Sequence, residues 1–305
     1  MKTNIKSSTL FCFAISGVML LSGCQQEGVS DSAPVGDDVL VTSYDEIDFS
    51  AVPSTAEGNG GEVALNSGDL YARITIKDYG TMTVKLYNDA APVGVKNFIE
   101  QAASGYYDGK VMHRIIADFM IQGGSANGDG LSSADEEGFD VEYCKEMRHF
   151  YGALCYANAA GVNGTQFYIV NNKNPDACDA SIAEANKQYY LQTVNQLKAY
   201  AEAATSEDER DYYEYYAAYY ENAAASMDKV ISALGDLTAE MKAKYAEVGG
   251  TSSLDGGYTV FGQMVDGFDV LDAVSAVEVR DNGNGEMSSP VEAVTIESVK
   301  IYIKA

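Results

Sequence analysis

The chain has 305 residues, and 20 Lys and Arg stand against 45 Asp and Glu, for a formal net charge of -25. A charge of that size repels nucleic acid and anionic lipid, and no segment interleaves basic with aromatic residues as a nucleic-acid surface does. The acidity reads as a solubility feature.

Lys2 and Lys6 precede an apolar run from Leu10 to Leu21 that is too short to span a membrane, so residues 1–23 read as an export signal. The ending Leu21-Ser22-Gly23-Cys24 resembles the lipobox of bacterial lipoproteins, which implies lipidation of Cys24 and a place in the bacterial cell envelope, outside the cytoplasm, held to a membrane by lipid alone. Between Lys6 and Arg73 there is no basic residue, whereas Glu27, Asp31, Asp37, Asp38, Asp45, Glu46, Asp48, Glu57, Glu62 and Asp69 fall in that stretch. Residues 24–68 are therefore expected to be a flexible acidic tether, because such a composition buries little apolar surface.

From residue 69 the pattern changes. Ala72, Ile74 and Ile76 alternate with polar residues, Asp78-Tyr79-Gly80 turns the chain, and Met82, Val84 and Leu86 resume the alternation, as in an antiparallel hairpin with one buried face. Pro92 opens a helix with Val95, Phe98, Ile99 and Ala102 on one side, and Gly105 stops it. Strands are expected at 111–122, 153–157, 167–170, 258–265 and 294–303, the last with a bulge where the apolar phase slips between Ile296 and Val299. Many short strands with few helices suggest a closed antiparallel barrel.

The stretch from His113 to Gly124 is the most informative. On a strand, Phe119 and Ile121 face one way and Met120 and Gln122 the other, and a polar residue among apolar ones beside a glycine pair suggests the wall of a groove with Arg114 at its mouth. Residues 172–252 are expected to be an inserted helical subdomain. Ser206-Glu207-Asp208-Glu209 forms a capping box, and behind it Tyr212, Tyr216, Tyr219, Ala223, Met227, Val230 and Leu234 recur at helical steps. The insert holds ten tyrosines, which read either as its own small core or as an exposed aromatic face that grips unfolded chains.

Cys144, Cys155 and Cys178 fit neither a zinc site nor a C-x-x-C pair, and both one disulfide and three thiols are compatible with their spacing. No metal and no cofactor is expected.

Five ordered blocks resemble the cyclophilin family of peptidyl-prolyl cis/trans isomerases: A-P-V-G-V-K-N-F at 91–98, G-Y-Y-D-G at 105–109, the stretch 113–124, G-A-L-C-Y-A-N-A-A-G-V-N-G-T-Q-F-Y-I at 152–169, and L-D-G-G-Y-T-V-F-G at 254–262. The resemblance implies a mainly β fold, an eight-stranded closed barrel with two capping helices spanning 69–305, interrupted by the insert. It implies a monomer acting on proline-containing polypeptides, such as exported proteins that fold after translocation. By motif position it makes Arg114 and Gln122 catalytic, and gives substrate contact to His113, Phe119, Met120, Ala157, Asn158, Gln166, Tyr168, Leu254 and Tyr258. Tyr168 stands where relatives commonly carry phenylalanine, so its hydroxyl needs a partner if buried. The loop 159–163 is one residue short, and Ser253 replaces a tryptophan found in many eukaryotic relatives. His113 and His149 are read as structural, with no carboxylate partner evident. The other reading is a catalytically weak binding module whose insert holds clients.

Overall fold

The computed structural model describes residues 36–55, 58–61, 63–130, 138–159 and 161–305. The export signal and Cys24 lie outside them. In chain order come β1 (Val39–Val41), β2 (Leu70–Ile76), β3 (Gly80–Leu86), α1 (Pro92–Ala103), β4 (Met112–Ile116), β5 (Met120–Gly123), β6 (Phe139–Asp140), β7 (Ala153–Ala159) and β8 (Val162–Val170). Then follow α2 (Ser181–Ala203), α3 (Glu207–Gly235), α4 (Ala239–Val248), β9 (Val260–Asp266), α5 (Phe268–Ser275), β10 (Val279–Asp281), β11 (Met287–Pro290) and β12 (Ile296–Ile303).

Ten strands form one antiparallel sheet in the order β1-β12-β2-β3-β9-β7-β8-β5-β4, with β6 paired to β8, while β10 and β11 make a separate hairpin. This corrects the expected eight-stranded closed barrel: the ladder ends at β1 and β4, and an isolated bridge from Val111 to Thr295 joins the β4 side to the β12 side without extending into a ladder. The bulge in the last strand is present, as a register shift between Ile296 and Ser298. The helix opened by Pro92 is present too, and Gly105 follows it in the left-handed region at φ 74°.

Part of the expected tether is bound to the domain. Val39 to Val41 pair with Ile303 to Ile301, and Val41 and Ile47 are buried in the main core. The acids explain why composition misleads here. Asp38 accepts from the Tyr71 hydroxyl at 2.7 Å and Lys304 Nζ at 3.0 Å, and Asp89 receives Ser54 and Thr55. Among the described acids of this stretch, Asp38, Glu46 and Asp48 serve as acceptors.

The expected strand at 111–122 is also corrected. It is a hairpin, β4 and β5, broken by a turn in which Asp118 has φ 55°. Asn171 holds that turn, its side chain accepting from Phe119 N at 2.7 Å and donating to Ile116 O at 3.1 Å.

Alternation along the central strands divides the apolar side chains between two layers. Leu154 and Tyr156 of β7, Phe167 and Ile169 of β8 and Ile121 of β5 enter the main core, which α1 and α5 help to cover with Phe98, Ile99, Leu271 and Val274. Ala153, Cys155, Tyr168, Val170 and Met120 face the other way and form a second cluster with Phe119, Ala157, Leu254 and Tyr258 packed on it. A one-residue offset thus puts neighbouring side chains on opposite sides of the sheet.

The insert folds as the helical pattern implies, with Ser206 Oγ accepting from Glu209 N at 3.2 Å. Its tyrosines do not form its core. Tyr245 is buried, together with Phe150, Ala183, Val230, Leu234 and Leu237, but Tyr189, Tyr200, Tyr212, Tyr215, Tyr216 and Tyr219 are exposed. The buried positions of α3 before Val230 are Ala217 and Ala224 instead. Cys144, Cys155 and Cys178 are free thiols.

Candidate active site

A cavity of about 290 Å³ is lined by Arg114, Phe119, Met120, Gln122, Ala157, Asn158, Tyr168, Leu254 and Tyr258. Four separate stretches of the chain meet there. A second cavity of similar size adjoins it, sharing Gln122, Ala157 and Asn158 and adding Gln166, Gly130 and Val162. Together they make a groove across the outer face of β5, β7 and β8.

Arg114 and Gln122 are direct partners across the β4–β5 ladder, and Ile116 faces Met120. The Arg114 guanidinium donates through Nη1 to Gln122 Oε1 at 3.3 Å and lies over the Phe119 ring, 5.8 Å from its centroid. Gln122 donates in turn to Gln166 Oε1 at 3.0 Å, and Gln166 to Gly130 O at 3.1 Å. His113 falls at the irregularity in the ladder between Met112 and Arg114, away from the first cavity, with its ring beside Gly130. Burial, and then the charge of Arg114, push its pKa down to about 4, so the ring is neutral near pH 7.

Glu286 is not among the residues the motifs point to. It comes from the loop between β10 and β11, and takes Arg114 Nε and Nη2 on its two oxygens, each at 2.8 Å. These hydrogen bonds hold its carboxyl down at about 2. A bidentate fork of this kind fixes the guanidinium plane, and the pair offers a ligand an oriented donor with little net charge.

Opposite the hairpin, Tyr168 supplies the floor. Its hydroxyl is 2.9 Å from His149 Nε2, and His149 Nδ1 is 2.8 Å from Asp255 Oδ1. Asp255 also accepts from His149 N at 3.0 Å and from the Tyr245 hydroxyl at 2.9 Å, and it pairs with buried Arg148 at 3.6 Å. The partner that a buried tyrosine hydroxyl requires is therefore present, and His149 has a carboxylate after all. Burial raises the Tyr168 hydroxyl well above its ordinary value, so it stays protonated. Only the fold brings Asp255 to His149, since they are 106 residues apart.

The β7–β8 ladder shifts register between Tyr156 and Asn158, leaving Ala157 outside the regular pairing. The Asn158 side chain is occupied, donating to Gly257 O at 2.9 Å and accepting from Gly161 N at 3.1 Å. Leu254 stands on a short 3-10 turn, Ser252–Leu254, and Tyr258 meets Tyr168 edge-on at 5.9 Å.

No group of three or more His, Cys, Asp or Glu residues among those described is arranged to hold a metal ion. None of the described helices is long and apolar enough to cross a membrane.

A hairpin carrying a fixed arginine thus faces an apolar floor, beside Ala157 of β7, which the β7–β8 ladder leaves unpaired. The family model for cyclophilin type peptidyl-prolyl cis-trans isomerases matches residues 71–209 and 241–301. A Staphylococcus saprophyticus protein described as a peptidyl-prolyl cis-trans isomerase is 32% identical over 249 residues, covering 80% of this chain and 94% of that protein. A Streptococcus pyogenes protein described as a bifunctional phosphatase/peptidyl-prolyl cis-trans isomerase is 35% identical over 236 residues, which are 75% of this chain but 38% of that protein. The chain thus spans well under half of that longer relative. A crystal structure of a Cryptosporidium parvum cyclophilin type isomerase covers 76% of the chain and 97% of its own length at 20% identity, with a TM-score of 0.47. The chain belongs to the cyclophilin family of peptidyl-prolyl cis-trans isomerases. The family model resumes only at residue 241, so most of α4 falls within the matched region while most of α3 does not.

Proposed function

We propose that this chain is a prolyl isomerase in which Arg114 is the catalytic cation and the groove binds an extended peptide. The observation that carries this reading is the convergence of Arg114, Phe119, Met120, Gln122, Tyr168 and Leu254 on one cavity. Rotation about a prolyl amide opposes a barrier of roughly 20 kcal/mol set by conjugation of the nitrogen lone pair. It requires no covalent step. Phe119, Met120 and Leu254 hold the proline ring, the Met120 thioether adapting its shape. The backbone at Ala157, outside the regular ladder, and at Asn158 beside it receives the substrate as an added strand, with Gln122 and Gln166 on its carbonyls. Arg114 then stabilises the twisted amide, by donating to the nitrogen as it regains its lone pair or to the adjacent carbonyl. Glu286 positions Arg114 and offsets its charge, so the site takes an amide in preference to a carboxylate.

A protease-coupled assay on a proline tetrapeptide tests the reading. Arg114→Ala is expected to lower kcat/KM by about 10²-fold or more, the usual loss for a preorganised donor, with little change in thermal midpoint because the side chain is part exposed. Equal rates for wild type and variant, both above buffer, would remove Arg114 from the mechanism, and rates for both that match buffer would reject the isomerase reading.

We further propose that the chain works outside the cytoplasm of a bacterium as a monomer, assisting exported proteins, and is anchored by lipid on Cys24. Labelling by a fatty acid in the producing cell, abolished by Cys24→Ala, is the expected result; labelling unaffected by that change would reject the anchor.

A further inference from the structure

Helices α2 and α3 lie side by side, and the positions buried along them are Ala183, Val194 and Ala201 on one and, before its base, Ala217 and Ala224 on the other. Large rings are left outside. Tyr215 is 67% exposed, Tyr189 60% and Tyr212 58%. Scattered exposed aromatics need no explanation. These, however, touch: Tyr212 and Tyr216 lie 4.7 Å apart, Tyr215 and Tyr216 5.3 Å, and Tyr219 and Tyr220 5.4 Å, while Tyr190 of α2 meets Tyr220 of α3 at 5.9 Å. Acids are interleaved with them at Asp211 and Glu214, behind the acidic first turn of Glu207, Asp208 and Glu209 and against Arg210, while Glu221 is already paired with Lys198 of α2.

The face is continuous with the groove. The far end of α3 packs on the loop between Leu254 and Tyr258 so closely that a Cβ at Gly256 would lie 2.6 Å from Lys229 O and 2.9 Å from Ala233 Cβ. Tyr258, at the end of that loop, lines the groove.

We propose that the tyrosine face of α2 and α3 is an accessory binding surface for the substrate segment flanking the proline, and that it selects extended segments rich in Lys and Arg. Exposed rings take Lys and Arg by cation–π contact at about 0.5–1 kcal/mol each, and the interleaved carboxylates supply the matching charge. Such contacts are weak singly and become effective when the groove already holds the same chain. This inference rests on the isomerase reading for the site at which the proline sits. From Val230, beside the groove, to Tyr212 is about 27 Å along the helix at 1.5 Å per residue, a span that about eight extended residues cover. A tetrapeptide cannot reach it.

The test uses the full chain and a Tyr212→Ser/Tyr215→Ser/Tyr216→Ser variant, with a proline tetrapeptide and 20-residue peptides bearing one proline and a Lys/Arg-rich, neutral or Glu-rich tail. The basic tail is expected to lower KM roughly tenfold relative to the neutral one, with loss of the gain in the variant and in about 0.5 M salt, where charges are screened. Tetrapeptide kcat/KM should be equal in both proteins. Should the triple variant fail to fold, Asp211→Asn/Glu214→Gln is expected to remove most of the same gain. A basic tail that gives no gain, or the same gain in the variants, overturns the proposal. So does a dimer in sedimentation that the variant dissolves, because the face would then belong to a second copy. A full chain that turns over no tetrapeptide rejects the isomerase reading instead, and fluorescence anisotropy of the labelled basic peptide then decides the face by itself.

Discussion

The two ends of the helical insert obey different rules although they belong to the same helices. At its base, Val230 and Leu234 of α3 and Tyr245 of α4 are buried against Phe150, and the Tyr245 hydroxyl reaches Asp255, which holds His149, which holds Tyr168 at the floor of the groove. At its tip, the fully buried positions are alanines, and Tyr189, Tyr200, Tyr212, Tyr215, Tyr216 and Tyr219 are exposed. The base is therefore part of the site's support, whereas the tip is free to meet another chain. Insertion as such says nothing about dispensability: what matters is whether the inserted side chains complete a buried polar chain.

The largest expected effect is at the base. Asp255→Ala removes the acceptor for His149 N, His149 Nδ1 and the Tyr245 hydroxyl, and it leaves the charge of buried Arg148 without its carboxylate. Breaking such a pair costs about 3–5 kcal/mol, so a marked fall in the thermal midpoint and loss of turnover are expected. A variant as stable as wild type would show that base and tip do not differ as described.

Next comes the cation's partner. Glu286→Gln keeps the size of the side chain but removes the charge that fixes Arg114, and kcat/KM is expected to fall about 3- to 10-fold, in line with the weakening of a charge-assisted hydrogen bond. The pH dependence gives a second measurement. The folded value of Glu286, about 2, lies below its ordinary 4.5. The stability it contributes is thus fully present above pH 4.5 and is lost as pH falls toward 2, with no slope from this group between pH 5 and 8. Glu286→Gln should flatten the acid limb; an unchanged limb would assign it to other carboxylates.

The smallest effect is at the tip. Ser206→Ala removes the cap of α3, whose hydroxyl accepts from Glu209 N, at a cost of about 1 kcal/mol. It is expected to increase amide exchange in the first turns of α3 and leave tetrapeptide turnover unchanged. A change in turnover would tie the tip to the pocket.

Much of this molecule was legible in the order of its residues. The hairpin of β2 and β3, the helix from Pro92, the bulge after Ile296 and the capped helix after Ser206 follow from alternation, a fixed proline φ, a phase slip and a side-chain acceptor, all of which act within a few residues. Nine of the eleven residues proposed for catalysis and substrate contact line one cavity, because the motif blocks that suggested them occupy strands with a definite inward and outward side. Gln166 lines the adjoining cavity, and His113 lines neither. The turn at Asp118 escaped because the apolar run continues through it, and its stabiliser, Asn171, lies 52 residues away.

By itself, then, the sequence determined the family, the strand faces and the groove wall carrying Arg114 and Gln122, since side-chain period and short-range backbone preference are local. Tertiary structure alone decided that Glu286 would clamp Arg114 from 172 residues away, that Asp255 would join His149 to an inserted helix, and that the insert's tyrosines would face outward. Each of those outcomes depends on which surfaces meet. Helical spacing puts Tyr212 and Ala217 on identifiable faces of α3, but only packing against α2 selects the face of small residues for burial.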